Sequence, residues 1–339
     1  MSHATMDTAE REDSQAGCFS DSAGMQTYSL NTSLGAMHLM SRINNEMSLV
    51  EDTASGSFGV VKRGIFDLDC QCYAVKQTKR AICGESDLQH QLQETYALSA
   101  CSHPNVLRYF DAWVEDRAVF VRTEWLPDGS VAEFERPLPE ALLRSVIHQI
   151  ASALHWLWRH HITHRDVKPD NILAQKMEDG TYVFKLADLG LARPLFMDHP
   201  DIGEEFCGTN DDDGDSRYLA PDAFTLPKFA QQKGETDVYA LGASCVELMG
   251  GDPSLVRSGN YTGSFGTYSP ELQQLVQWMT RPDPKERPDT FTVALLTVDP
   301  TLQVTEEFVL RKSAIDDLRA SVAELEKQFE DTSNNDNEW

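Results

Sequence analysis

His164-Arg165-Asp166-Val167-Lys168-Pro169-Asp170-Asn171 places a proton acceptor, a cation and a metal-binding amide in a single eight-residue run. Asp166 is the expected base, or the orienting acceptor, for an attacking hydroxyl, and Lys168 is placed to neutralise charge developing on a transferred phosphoryl group. Asn171, five residues after the acid, supplies an oxygen for a divalent cation. His164 is expected to brace the loop rather than to react.

Upstream, Ala54-Ser55-Gly56-Ser57-Phe58-Gly59-Val60-Val61 lies between two strand-like runs. Gly56 and Gly59 stand where a backbone has to come close to phosphates, while Ala54 occupies the place of a third glycine. Tyr73-Ala74-Val75-Lys76 ends a strand with an ammonium, and Glu94, eighteen residues later on a helix expected over Asp87–Ser99, is its best partner. Glu85 is a weaker alternative because it precedes that helix. Downstream, Asp188-Leu189-Gly190 follows a short hairpin, 22 residues beyond Asp166, and adds a second metal-binding acid. Ala220-Pro221-Asp222 closes the next segment, with Arg287 as the expected structural partner of Asp222. Asp237 opens a helix and resembles an acid that ties down the backbone of the 164–171 loop.

The order of these motifs resembles that of the protein kinases. The hydrophobic periods agree with the fold implied, an α+β bilobal architecture. β-prone runs at Met47–Thr53, Val60–Ile65, Cys72–Lys76, Val106–Val114 and Ala118–Thr123 predict an N-terminal antiparallel sheet lobe with one helix. Helical spacing over Glu140–His160, Thr236–Met249 and Pro270–Met279 predicts a larger helical C-terminal lobe. The lobes join near Glu124–Gly129, which puts a ligand cleft between them. The resemblance implies ATP and Mg²⁺, with Asn171 and Asp188 as metal ligands. Val61 and Ala74 are expected above the adenine, Leu173 beneath it, and Thr123 behind it. Backbone groups of Glu124 to Leu126 are expected along its edge, and Asp128 is in reach of the ribose.

Within the kinases, Gly214-Asp215-Ser216-Arg217-Tyr218-Leu219-Ala220-Pro221-Asp222 resembles the Wee family. The Asp188-Leu189-Gly190 form, the Arg108–Asp116 stretch and Gln93-Glu94-Thr95-Tyr96-Ala97 match as well, so the resemblance covers about residues 45–295. It implies a kinase that phosphorylates a tyrosine in the glycine-rich loop of a cyclin-dependent kinase bound to cyclin. Mitotic entry is then delayed, and the expected compartment is the nucleus, with the cytoplasm also open. Asp215 lies seven residues before Asp222, where serine/threonine kinases usually carry Thr. Its carboxylate is expected to compete for Lys168, to repel Asp166 and to favour the longer reach of tyrosine. Arg165 and Lys168 fit serine/threonine kinases equally well. Two alternatives stay open: a translation initiation factor 2 alpha kinase, which shares an Arg-Tyr-Phe-x-Ala-Trp segment, and a noncatalytic scaffold.

Composition sets the outer limits. The net charge of −25 disfavours nucleic acid and anionic membranes as partners, because both are polyanions. The seven cysteines form no CxxC pair, which favours reduced thiols in an intracellular setting. No stretch reaches the roughly 18 apolar residues of a membrane span. Residues 1–43 lack a sustained period and are expected to form a disordered leader, followed by the kinase domain at 44–298, with lobes at about 44–124 and 129–298. In the tail, 299–339, Phe308, Ile315, Val322 and Phe329 recur every seventh residue with Leu318 and Leu325 between them. This predicts an amphipathic helix at about 305–330 that docks in cis or dimerises. Asp211–Asp213 offers fixed negative charge near Arg165 in place of a phosphate, or simply a solvated loop. His148, His155, His160 and His161 are expected to be packing or surface residues.

Overall fold

The structure is a computed structural model that describes residues 41–55, 59–79, 81–84, 88, 92, 95, 98–99, 101–194, 214–224 and 234–298. Gly56, Glu85, Glu94, Asp211–Asp213, the leader before Ser41 and the tail after Val298 lie outside the described residues.

Strands β1 (Met47–Ser55), β2 (Gly59–Phe66), β3 (Gln71–Thr78), β4 (Tyr109–Glu115) and β5 (Ala118–Glu124) form one sheet in the order β1-β2-β3-β5-β4, all pairs antiparallel. Side chains alternate across it, so residues paired between strands share a face. Val61 pairs with Lys76 and Ala74 with Thr123, which puts Val61, Ala74, Lys76 and Thr123 on one face. The opposite face carries Tyr73, Val75 and Phe120, covered by Ile43 and Met47. Ile43 belongs to α1 (Arg42–Glu46), where Arg42 pairs with both Glu46 and Asp111. The expected leader boundary at 43 therefore falls inside a packed helix, and the described residues begin at Ser41.

The β4–β5 hairpin turns on Asp116 and Arg117, both with positive φ (48° and 63°). Asn-Gly is the usual pair for such a two-residue turn. Here the Arg117 guanidinium holds the Ile82 carbonyl at 2.8 and 3.0 Å and so ties the strained turn to the preceding chain. That chain continues into helical residues Leu88, Leu92, Thr95 and Leu98, whose leucines pack into the main core.

β4 starts at Tyr109, three residues later than the run beginning at Val106 suggests. Val106 forms instead a single parallel bridge to Leu186, because Leu107 N–H donates to Leu186 O and Leu186 N–H to Asn105 O. The larger lobe is built around α2 (Glu140–Arg159), α3 (Gly234–Leu248), α4 (Pro270–Met279) and α5 (Thr290–Val298). Leu143, Val146, Ile147, Ile150, Leu154 and Leu157 form the buried stripe of α2, with a 3.6-residue period. Four short strands, β6 (Ile162–Thr163), β7 (Ile172–Lys176), β8 (Tyr182–Leu186) and β9 (Arg193–Pro194), frame the 164–171 loop.

Candidate active site

The 164–171 loop is anchored from below. Asp237, one turn into α3 and buried, accepts the N–H of His164 at 2.9 Å and of Arg165 at 2.8 Å. Burial pushes its carboxyl above the ordinary value, against the pull of the two N–H donors and of His164 and Arg165. With its backbone fixed at both amides, Arg165 is held at φ 69°, a left-handed conformation.

His164 sets the next link. Its Nδ1 accepts the Asp166 N–H at 3.3 Å, so Nε2 carries the proton and donates to Ala187 O at 3.1 Å. Ala187 N–H in turn donates to Asn171 O at 2.8 Å. Ala187 thus joins the loop twice, once through an imidazole and once through backbone. It directly precedes Asp188, and this double tie fixes Asp188 relative to Asp166.

Asp166 is buried, and its two carboxylate oxygens have different surroundings. Oδ2 accepts Lys168 Nζ at 2.7 Å and Asn171 Nδ2 at 2.8 Å. Among the described residues, Oδ1 accepts only the Asp215 N–H, at 3.4 Å. Asn171 also donates to Asp166 O at 2.8 Å, which turns its amide oxygen away from the acid. Lys76 reaches Asp188 Oδ1 at 2.8 Å. Burial raises the Asp188 carboxyl, but Lys76 outweighs it, so the group sits below its ordinary value and stays ionised. Asp188 has φ 61°, which aims it back towards Lys76, and Leu189 fills the buried place behind it.

Gly59 has a second reason to be glycine. A Cβ there would lie 2.5 Å from Gln77 O, so β3 itself requires the bare backbone. Leu126 and Leu173 meet beside Leu107 and Ala187 in a small apolar cluster, across the cleft from Val61 and Ala74 on the sheet face. Glu124 turns its side chain outward to Lys185 at 2.7 Å and gives its N–H to Arg108 O. The Thr123 hydroxyl donates to Glu124 O at 3.3 Å, and the Leu126 backbone has no partner among the described residues. Of the expected edge groups, those of Leu126 are open to a base. Asp128 Oδ2 accepts the Lys176 N–H at 2.7 Å, so one oxygen clamps β7 and the expected reach to a ribose rests on the other.

Asp215 departs from expectation. Its carboxylate is gripped by Arg217, with Nη2 at 2.7 Å and Nε at 3.1 Å, and does not pair with Lys168. Burial raises the carboxyl and Arg217 lowers it further, leaving it below its ordinary value. Gly214, at φ +75°, fits because a Cβ would lie 3.1 Å from Arg165 O and 3.3 Å from Asp166 Oδ1. Asp222 pairs with Arg287, which is fully buried and also donates to three backbone carbonyls. A further network was not foreseen. Tyr218 donates to Glu247 on α3, and Glu247 pairs with Arg136 at 2.7 Å. The available signal was a lone acid in the buried half of an apolar helix. Burial, with Glu247 beside it, raises the Tyr218 hydroxyl and keeps it protonated.

A model of the protein kinase domain matches residues 48–297. The chain belongs to the protein kinase family. Similar proteins include Wee1-like protein kinase 2 of Xenopus tropicalis, 27% identical over 288 residues, which cover 76% of this chain and 49% of that protein. The corresponding kinase of Canis lupus familiaris is 30% identical over 297 residues, 80% of this chain and 52% of that protein. Wee1-like protein kinase 2 of Gallus gallus is 28% identical over 299 residues, with coverages of 78% and 50%. The chain spans about half the length of the curated relatives it matches. The Wee resemblance carried by Asp188-Leu189-Gly190 and Gly214–Asp222 holds, and the kinase belongs with that family.

A protein kinase uses ATP with Mg²⁺, and the residues of this kinase fit both. Asn171 Oδ1 and the second oxygen of Asp188, uncommitted among the described residues, are hard donors of the kind Mg²⁺ takes. Bound there, the ion would neutralise phosphate charge.

Proposed function

We propose that this kinase transfers the γ-phosphoryl group of ATP to the inhibitory tyrosine of a cyclin-dependent kinase in its cyclin complex, delaying mitotic entry. The phenolic oxygen attacks the γ-phosphorus, the bond to the β–γ bridging oxygen breaks, and ADP leaves. The phenolic proton passes to Asp166, whose Oδ1 has the spare acceptor capacity, while Lys168 stands beside the developing charge. The observation that carries the tyrosine reading is Asp215. Its amide meets Asp166 while its side chain turns to Arg217, so residue 215 puts no hydroxyl between Asp166 and Lys168, where a threonine would bond both. That leaves lateral room for a phenol. The substrate's role makes the nucleus the compartment we propose, with the cytoplasm as a second location.

The test is incubation with Mg-ATP and a cyclin-dependent kinase–cyclin complex, with the modified residue mapped by mass spectrometry and Asp188→Ala as control. Phosphotyrosine is expected, and phosphate confined to serine overturns the reading. Asp215→Thr is expected to shift the preference towards serine or threonine; an unchanged preference removes Asp215 from the explanation.

A further inference from the structure

The surface where α2 meets α5 is apolar where a solvated face would be polar. Trp158 is 43% exposed, Phe291 56% and Leu295 39%. The three form one surface: the His155 ring lies 6.1 Å from that of Trp158 and 5.6 Å from that of Phe291, and Leu295 is one turn from Phe291 on α5. At its border Arg159 is exposed one turn beyond His155. Contiguous exposed apolar area with a polar border marks a binding surface.

We propose that this surface is the docking site for the tail of the same chain, residues 305–330, bound as an amphipathic helix. Three observations select this occupant. The tail leaves from the end of α5 itself, and the residues between Val298 and 305 reach about 20 Å when extended, against about 13 Å for the length of α5. The face of α5 is therefore within reach without strain. The tail repeats Phe308, Ile315, Val322 and Phe329 every seventh residue, with Leu318 and Leu325 between, an apolar stripe that needs a partner. Charge agrees as well: residues 305–330 hold seven acids and four bases, opposite in sign to Arg159. About three heptads are short for a free-standing coiled coil, whereas a preformed apolar surface covers the stripe at once.

The experiment uses the full chain. A benzophenone amino acid replaces Phe291, and an equal mixture of ¹⁵N-labelled and unlabelled chains is irradiated and digested. Cross-links from position 291 to peptides within 305–330, each pairing like isotopes, are the expected result. Val322→Asp is expected to lower their yield about tenfold, the equivalent of losing one buried aliphatic side chain. Hydrogen exchange on the unsubstituted chain supplies a second readout. The amides of 305–330 are expected to be protected, with protection lost in Val322→Asp. Mixed-isotope cross-links would show a second copy as occupant and overturn the proposal. So would cross-links that avoid the tail, a yield unchanged by Val322→Asp, or an unprotected tail.

Discussion

Replacing Arg287 by Met keeps much of the aliphatic stem and removes the charge. The guanidinium is fully buried, pairs with Asp222, and donates to Arg281 O at 2.7 Å and to Glu235 O and Pro282 O at 3.0 Å. The substitution strips the buried Asp222 carboxylate of this cation and removes a donor from three carbonyls. Breaking a buried ion pair by removing one partner costs about 3–5 kcal/mol. For a domain of this size each kcal/mol lowers the melting midpoint by about 2–4 °C, so a loss near 4 kcal/mol gives a fall of about 8–16 °C. Thermal melts followed by circular dichroism at neutral pH measure it. Asp222→Ala combined with Arg287→Met should recover part of the loss, because the stranded acid is gone. A fall under about 3 °C for Arg287→Met, or strict additivity in the double variant, would refute a buried pair as the clamp between the activation segment and the start of α3.

Three other outcomes follow from the same geometry. Burial lifts the Glu140 carboxyl, but Ser269 and Arg144 outweigh it and hold it below its ordinary 4.5. Its stabilisation is therefore complete above pH 4.5 and fades as the pH falls through the lower folded value; the gap in melting midpoint between Glu140→Gln and the parent should be constant above about pH 5 and close below 4.5. Gly214→Ala forces a Cβ into a left-handed backbone against Arg165 O and Asp166 Oδ1, at about 1–2 kcal/mol, and should lower kcat while ATP affinity, measured by calorimetry, stays near the parent value. Arg217→Ala frees the Asp215 carboxylate beside Lys168 and should reduce kcat about tenfold, with Asp215→Asn restoring it in the double variant; failure of that rescue in steady-state assays removes electrostatic competition as the cause.

Much of the site was legible because its links are short or periodic. Asp166, Lys168 and Asn171 are within six residues, and their mutual bonds follow from that spacing. Val61, Ala74 and Thr123 reach one cleft face through a two-residue period that the strand runs already displayed. Contacts set by tertiary distance were not legible. Glu124 and Lys185, or Tyr218, Glu247 and Arg136, meet only after the elements pack. α5 was missed because its Thr-Phe-Thr-Val opening is rich in β-branched residues, and packing along α2 overrides that local preference. The bond from Lys176 N–H to Asp128 was not legible either, because nothing in the sequence shows that the two lie close.

The pairing of Asp215 with Arg217 was visible in principle, two residues apart, and it changes how the activation segment acts on the base. A free carboxylate at 215 would have drawn Lys168 away from Asp166. With Arg217 in place, Lys168 remains on Asp166 Oδ2, and residue 215 acts on Oδ1 through its amide. Among the described residues, the donor to that oxygen is the Asp215 N–H. The backbone at Gly214 and Asp215 is held from three sides. Gly214 is pressed against the catalytic loop, Arg217 closes over Asp215, and Tyr218 is fastened to Glu247 in the core of the larger lobe. On the tyrosine reading proposed above, substitutions that loosen Tyr218 should blur substrate preference even though they touch neither nucleotide nor base.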